Sequence, residues 1–410
     1  MASVRKRTWK AASTVDDRGN EVPGLEKTAW IVDYFDQDRV RHIKTFDRKK
    51  DADAYLTTVS HEVMEGTHTA PSTSITVGQA AEAWIDACNR NRLERSTVVQ
   101  YQNHIDHHIK PMFGRSKLSS LTTPMVEKFA TELLGRPFAD DPSRTLSRSM
   151  AKKVLASLKG IVKEAQRKGK IAKNPASPVT IKVAKRGTRK VRPGRDFPSK
   201  AEINTILKNV AGRWRPLIIT AVFTGMRSSE LRGLAWKDVD FDAKAIHVHR
   251  RADRWGVMGA TKSEAGERDL PMTPMVTNAL KEWRKTCPTG DLGLVFPNGD
   301  GKPENHANIA NRCYYELQRT NEITEPVMGP DGKQAHDEEG EPLVRPKYGF
   351  HTLRHFYASW LIEQDFSPKK VQTLLGHSTI AMTYDTYGHM FPTSEDDHAK
   401  LAAGELALVG

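Results

Sequence analysis

Cysteine is almost missing: Cys88, Cys287 and Cys313 are the only three in 410 residues. They are too few and too scattered for a disulfide framework or a zinc site. Cys88 stands at helical spacing from Trp84 and Ile85, where core packing accounts for it. Such cysteine usage points to an intracellular, reducing compartment. Long apolar runs are missing too. Nothing approaches the ~20 residues that a spanning helix needs, and the first residues, "MASVRKRTWK", lack the apolar stretch of a secretory leader. Membrane insertion is not expected, and no internal repeat is evident. Acidic residues are in deficit: 50 Asp and Glu against 63 Lys and Arg leave a net charge of +13. That surplus attracts polyanions and raises encounter rates with them. Nucleic acid and anionic membrane surfaces are the candidates, although charge alone also suits a basic protein with no polyanion partner.

What is present is enough chain for two or three domains, with 38% hydrophobic and 28% charged residues, the balance of soluble globular protein. Residues 1–65 read as a small unit of strands and one helix. "TAWIVDYFD" alternates Trp30, Val32 and Tyr34 with Ile31, Asp33 and Phe35, the period of a strand. "RHIKTF" supplies a second strand, "RKRTWKA" an earlier third, and a helix starts at an N-cap, Asp47. Residues 66–75, "GTHTAPSTSI", are small and polar, as in a linker. Residues 76–178 carry four helical patterns. Val77, Ala81, Trp84, Ile85 and Cys88 share one helical face. Val98, Tyr101, Ile105 and Ile109 share another, in a helix capped by Ser96 and stopped by Pro111. "TTPMVEKFATELL" and "SMAKKVLASLKGIVKEAQRKG" supply the remaining two. His104 and His108 sit at i, i+4 in the second helix, but two ligands without a neighbouring carboxylate or thiolate make a weak metal site. Surface or DNA-facing histidines are the expectation.

Composition then changes. Residues 179–196 read as a basic linker, in which "VAKRGTRKVRPGR" carries Lys185, Arg186, Arg189, Lys190, Arg192 and Arg195 with Gly and Pro and little that is apolar. This is either a solvated linker or a basic strap lying along phosphates, and the basic chain favours the strap. Residues 197–393 form a largely helical domain broken by short strands. "AIHVHRRADRWGVMGATKSEAGERDLPM" reads as a small antiparallel sheet with turns at Trp255-Gly256 and Ala265-Gly266. The acidic, turn-rich stretch 322–346 reads as an inserted surface loop or hairpin. The tail, 394–410, is helix-prone and apolar on one side.

Four stretches of this last domain carry chemistry. "TGMRSSELRGLAWKDVDF" places Arg227 after a Thr-Gly turn with Glu230 three residues on, a spacing that allows an ion pair. "TKSEAGERDLPM" places Lys262 at a strand end. "FHTLRHFYASWLIEQ" places His351 and Arg354 at i, i+3 on a helix whose apolar side includes Leu353, Tyr357 and Leu361. "LLGHSTIAMTYDTYGHMFP" supplies His377 and two tyrosines, Tyr384 and Tyr387. The set suits phosphoryl transfer without a metal. Guanidinium groups stabilise charge on the equatorial phosphate oxygens. A lysine can protonate a leaving oxygen, and a histidine can accept the proton of an attacking phenol.

In this order, the stretches resemble the boxed motifs of the tyrosine recombinases, in particular integrases of the phage type. The resemblance is strong over about the last 220 residues. It is weaker over "STVVQYQNHIDHHIKPMFGRSKLSSLT", which is similar to the family's helical core-binding domain. The N-terminal unit resembles an arm-binding domain. The implied fold is mainly α with small antiparallel sheets, and the implied activity is site-specific DNA recombination through a 3′-phosphotyrosyl intermediate. By this resemblance Arg227 and Arg354 clamp the scissile phosphate, and Glu230 orients Arg227. Lys262 is the general acid, with Lys237 a distant alternative. His351 is the candidate general base, and His377 bonds the phosphate. No cofactor or metal is implied. The implied partners are double-stranded attachment-site DNA, a homotetramer on two duplexes, an excision factor and a host DNA-bending protein. The location would be cytoplasmic, at the nucleoid when DNA is bound, and the tail would dock onto a neighbouring subunit. A type IB topoisomerase, a host chromosome-dimer resolvase and a DNA-binding protein with a degenerate site are the rival readings. Helical periodicity does not separate the two tyrosines. Tyr387 precedes Gly388 at a helix end and lies ten residues after His377, as the nucleophile does in similar sequences. Tyr387 is therefore expected as the nucleophile and Tyr384 as a packing residue.

Overall fold

The computed structural model describes residues 2–15, 21–22, 26–37, 39–66, 68–71, 73–137, 145–182, 190–329, 332–391 and 397–409. The fold is mainly α-helical with small antiparallel sheets. The chain divides into two compact units, Met1–Lys185 and Arg186–Gly410. Among the described residues no helix is long and apolar enough to cross a membrane.

In the first unit the strands Ser3–Lys10, Glu26–Phe35 and Arg41–Phe46 form an antiparallel sheet with the second strand in the middle. Strand alternation turns Trp30, Val32 and Tyr34 toward the helix Lys49–Met64, which covers them with Ala52, Tyr55, Leu56 and Val59. The helix is flanked by Arg48 rather than by Asp47, and no side chain caps it. The described residues of the 66–75 stretch are irregular in backbone yet not loose. His68 is buried, its Nε2 2.9 Å from the Tyr34 hydroxyl and its Nδ1 2.8 Å from Glu62.

Four helical segments follow. Thr76 and Gln79 form a reciprocal capping box at the start of Val77–Arg90. The next helix, Arg95–His104, begins after Glu94 without a side-chain cap, so Ser96 does not serve as one. It widens into a π turn over Ile105–Ile109 and continues through Lys110–Phe113. Pro111 therefore does not stop it; the proline sits in the first turn of the renewed helix, where its missing N–H is not needed. Thr123–Gly135 and Arg148–Arg167 complete the group, and the last buries Val154, Leu158, Ile161 and Val162. His104 is not a surface residue: it is 3% exposed and its Nδ1 lies 2.8 Å from Ser157 Oγ.

The second unit packs helices around one apolar core that includes Ile218, Val222, Leu231, Leu353, Tyr357, Leu361 and Leu375. Ala245–Val248 pairs with Arg268–Pro271 and Val239–Asp240, while Arg250–Ala252 and Met258–Ala260 form a hairpin around Trp255-Gly256. The 322–346 stretch carries the paired strands Thr324–Pro326 and Val344–Pro346, a hairpin base as expected. The tail contains the helix Asp397–Val409, with Leu401, Leu406 and Leu408 exposed.

Candidate active site

Two glycines at helix ends build the site. The helix Trp214–Thr224 is buried on nearly every side and ends at Gly225, which takes a left-handed φ of 59°. A Cβ there would lie 2.3 Å from the Tyr357 ring, so only glycine fits. The helix Pro368–Leu375 ends the same way at Gly376, φ 64°. Ending a helix leaves carbonyl oxygens without partners, at the negative pole of its dipole. Here they hold guanidinium groups. Arg354 Nη1 donates to Gly225 O at 2.8 Å and Nη2 donates to Leu375 O. Arg227 Nη2 donates to Gly376 O at 3.1 Å.

Glu230 organises the other side. It is 2% exposed, and its carboxylate accepts from Arg227 Nη1 at 2.8 Å and from the Arg227 amide at 2.9 Å. The i, i+3 pair expected from the sequence is therefore formed. A third arginine, which the motifs did not suggest, joins it: Arg268 Nη2 donates to Glu230 Oε2 at 2.9 Å and its Nε donates to Leu374 O at 2.8 Å. Burial alone would raise the Glu230 carboxyl. Arg268, by charge and hydrogen bond, and Arg227 outweigh it and hold the group below the usual range. Arg227 and Arg268 thus share one carboxylate, while Arg354 beside them is held by carbonyl oxygens, so the cluster carries more positive than negative charge. Burial, and next to it the charge of Arg227, pushes Arg354 down to about 9. An anion would relieve that cost.

His351 stands at the N-terminal end of the helix Thr352–Glu363, one turn before Arg354. It keeps an exposed edge, yet the protein packed around the rest of its ring, with His355, Arg354 and Arg227, holds it down to about 4. His377 follows Gly376, with Nδ1 3.0 Å from Thr383 Oγ1. Burial and the arginines also push it down to about 4. Both imidazoles are neutral near pH 7. Lys262 is not drawn into this cluster. It is exposed in a bend after the strand Met258–Ala260 and makes no hydrogen bond or ion pair with the described residues. Lys237 is likewise exposed, beside the buried Asp238.

The tyrosines differ from the packing expectation. On the helix Ile380–Tyr387 the inward face carries Thr383 and Tyr387, 0% and 2% exposed. Tyr384 is 51% exposed and meets only the rim of the core through Phe391, with ring centroids 5.9 Å apart. Tyr384 is therefore the surface residue and Tyr387 the buried one. Four residues separate Thr383 from Tyr387, which returns the helix to the same face, whereas Tyr384 is rotated away from it. Gly388 continues into a short 3-10 turn, Gly388–Met390, rather than adopting a left-handed cap. Burial raises the Tyr387 phenol well above its ordinary value. Its hydroxyl meets one side chain, Nδ1 of His355, at 2.6 Å. His355 directly follows the motif residue Arg354 in "HTLRH", and nothing in that local sequence marks it as a partner of Tyr387.

Lys190 and Arg192 are exposed in the irregular segment before the helix Lys200–Asn209; the Arg192 amide donates to Asp196 Oδ2 at 3.0 Å. Lys185, Arg186 and Arg189 lie outside the described residues. Among the described residues, no group of three or more His, Cys, Asp or Glu is placed to hold a metal ion.

Comparison with known proteins gives two family matches: the phage integrase family over residues 199–393 and the phage integrase N-terminal SAM-like domain over residues 76–134. A tyrosine recombinase XerC-like protein of Caldanaerobacter subterraneus subsp. tengcongensis is 25% identical over 335 residues, 78% of this chain and 80% of that protein. Among solved structures, the Tn1549 transposon integrase in complex with a circular intermediate DNA matches with a TM-score of 0.58 at 21% identity, covering 81% of this chain and all of that one. A lambda integrase tetramer bound to a Holliday junction matches with a TM-score of 0.51 at 16% identity, over 93% of this chain and 94% of that one.

Proposed function

The chain belongs to the phage integrase family of tyrosine recombinases, enzymes of site-specific DNA strand breakage and rejoining, and from that premise we propose how its own residues divide the work. The observation that carries the reading is the arginine cluster around Glu230, with its uncompensated positive charge, beside a tyrosine and two neutral histidines. Arg227 and Arg354, each already fixed by a helix-end carbonyl, bind the scissile phosphate and stabilise charge on its equatorial oxygens. Because both are pre-positioned, little reorganisation is needed as that charge grows. His351 and His377 add hydrogen bonds from neutral rings, and the phosphate's own charge favours their protonated forms.

The Tyr387 oxygen attacks phosphorus and the bond to the 5′-oxygen breaks, giving a 3′-phosphotyrosyl linkage and a free 5′-hydroxyl. Lys262 supplies the proton to the departing oxygen, which requires its exposed bend to close over the bound phosphate. Tyr387 is 2% exposed, so its side chain or the segment covering it also shifts for attack. A 5′-hydroxyl from a second duplex reverses the chemistry on the new partner. The phosphotyrosyl bond conserves the energy of the broken linkage, so neither ATP nor a metal enters this scheme. Exchange at two sites calls for four protomers, the assembly in which lambda integrase is found on a Holliday junction. The exposed apolar tail helix is then available for contacts between protomers. Lys190 and Arg192, with Lys185, Arg186 and Arg189, are assigned to the DNA backbone. The N-terminal sheet is assigned to arm-type sites, with an excision factor and a host DNA-bending protein as accessory partners and the cytoplasm as the working location.

A type IB topoisomerase would use similar side chains to relax supercoils without exchanging strands between sites. Incubating the protein with two duplexes carrying the element's attachment junctions tests the difference. The proposal expects recombinant molecules joining the two duplexes. Relaxation of supercoiled DNA with no joined product would overturn it.

A further inference from the structure

Attack by the Tyr387 oxygen requires the phenol to give up its proton. Two histidines stand on the same helix turn, and they differ in what they touch. His351 and His355 lie edge to face with ring centroids 5.4 Å apart. Only His355 reaches the phenol, through Nδ1 at 2.6 Å, a short bond for an O–H donor to ring nitrogen. The Tyr387 hydroxyl has no other hydrogen-bond partner among the described residues. We propose that His355, rather than His351, is the base that takes the Tyr387 proton in strand cleavage and returns it in religation.

The groups around the ring fit that task. Burial and the neighbouring Arg354 keep His355 neutral, so a ring nitrogen is free to accept. For the phenol to donate into Nδ1, the ring's own proton must sit on Nε2. The carboxylate of Asp196 acts in the opposite sense to Arg354 and favours the imidazolium once it forms. Asp196 lies where Gly194–Phe197 leads into the helix Lys200–Asn209 and accepts the Arg192 amide. A phosphate bound at the neighbouring Arg354 brings further negative charge near the ring. The step balances without any outside reagent. The phenol O–H bond breaks, its proton passes to Nδ1, the oxygen bonds to phosphorus, and the 5′-oxygen leaves with a proton from Lys262. In religation the attacking 5′-hydroxyl loses its proton to the lysine side while the imidazolium hands its proton back to the phenol. His351, with no hydrogen bond to the phenol among the described residues, is left to bond the phosphate.

The inference rests on Tyr387 being the nucleophile, so the test separates the two. The probe is a nicked duplex cut from the element's own attachment junction, on which covalent protein–DNA adduct accumulates. Tyr387→Phe reports the nucleophile alone: adduct formed by that variant would sink the tyrosine assignment whatever His355 does. His355→Asn keeps a hydrogen-bonding atom at the Nδ1 position but cannot carry the proton. It is expected to slow adduct formation by ~10²–10⁴, the usual span for a lost general base, with DNA binding by gel shift unchanged. His355→Ala should be equally slow and should regain rate with added imidazole. His351→Asn should lose less than His355→Asn. An Asn variant within threefold of the parent would reduce His355 to a positioning residue and overturn the inference. So would loss of DNA binding in step with cleavage, or an Ala variant indifferent to imidazole.

Discussion

Replacing Glu230 by glutamine removes one charge and almost no volume from the centre of the site. Four N–H groups converge on that carboxylate: the Arg227 amide at 2.9 Å, Arg227 Nη1 at 2.8 Å, Arg268 Nη2 at 2.9 Å and Arg268 Nη1 at 3.3 Å. Glutamine offers one oxygen and turns its NH2 toward a donor, so at least one arginine faces hydrogens. Arg268 cannot escape, since its side chain is 2% exposed and Glu230 is its ion-pair partner. Breaking a buried pair while leaving the partner charge in place costs about 3–5 kcal/mol. Urea unfolding followed by tryptophan fluorescence should show a destabilised transition of that size. Arg227 also loses the group that aims it at the phosphate. Adduct formation should fall ~10²–10³, as for loss of one pre-organised donor.

The pH dependence follows in sign. The folded Glu230 carboxyl is held below the usual range, so its stabilising effect is present above an unfolded value of about 4.3 and disappears as pH falls through the folded value. The penalty of Glu230→Gln should therefore shrink in acid. A variant within ~1 kcal/mol of the parent, cleaving within threefold, would refute the claim that this carboxylate organises the arginines.

Gly225→Ala forces a side chain into a left-handed φ and against Tyr357, and it moves the carbonyl that anchors Arg354. A loss of about 2 kcal/mol or more is expected in the same unfolding assay, with slower adduct formation; an unchanged midpoint would contradict the packing argument. Lys262→Ala should cleave ordinary DNA slowly but recover on a substrate whose bridging 5′-oxygen is replaced by sulfur, because a thiolate leaves without a proton. Failure of sulfur to rescue would remove Lys262 from the acid role.

Much of this is legible in the amino-acid sequence alone. The strand alternation of Trp30, Val32 and Tyr34 and the apolar spacing of the helices translate directly into buried faces, because local periodicity decides which side turns inward. Arg227 with Glu230 and His351 with Arg354 were legible for the same reason, each pair being set by one helix. Arg268 was not, since it reaches Glu230 from a strand 38 residues away and nothing local marks it. His355 was adjacent to a motif residue, but its role depends on a helix 32 residues further on. The tyrosines show the limit of periodicity in a short helix. The register that buries Thr383 and Tyr387 is chosen by the surrounding core and by His377, not by the eight residues of the helix itself. Pro111 does not end its helix, because a π turn just before it lets the helix restart.

The most direct measurement is identification of the residue that carries DNA. The protein is trapped on a nicked attachment-site duplex, digested, and the modified peptide sequenced by mass spectrometry. The account predicts a phosphonucleotide on Tyr387, absent from Tyr387→Phe and undiminished in Tyr384→Phe. Modification of Tyr384, or a trapped adduct that survives in Tyr387→Phe, would contradict it.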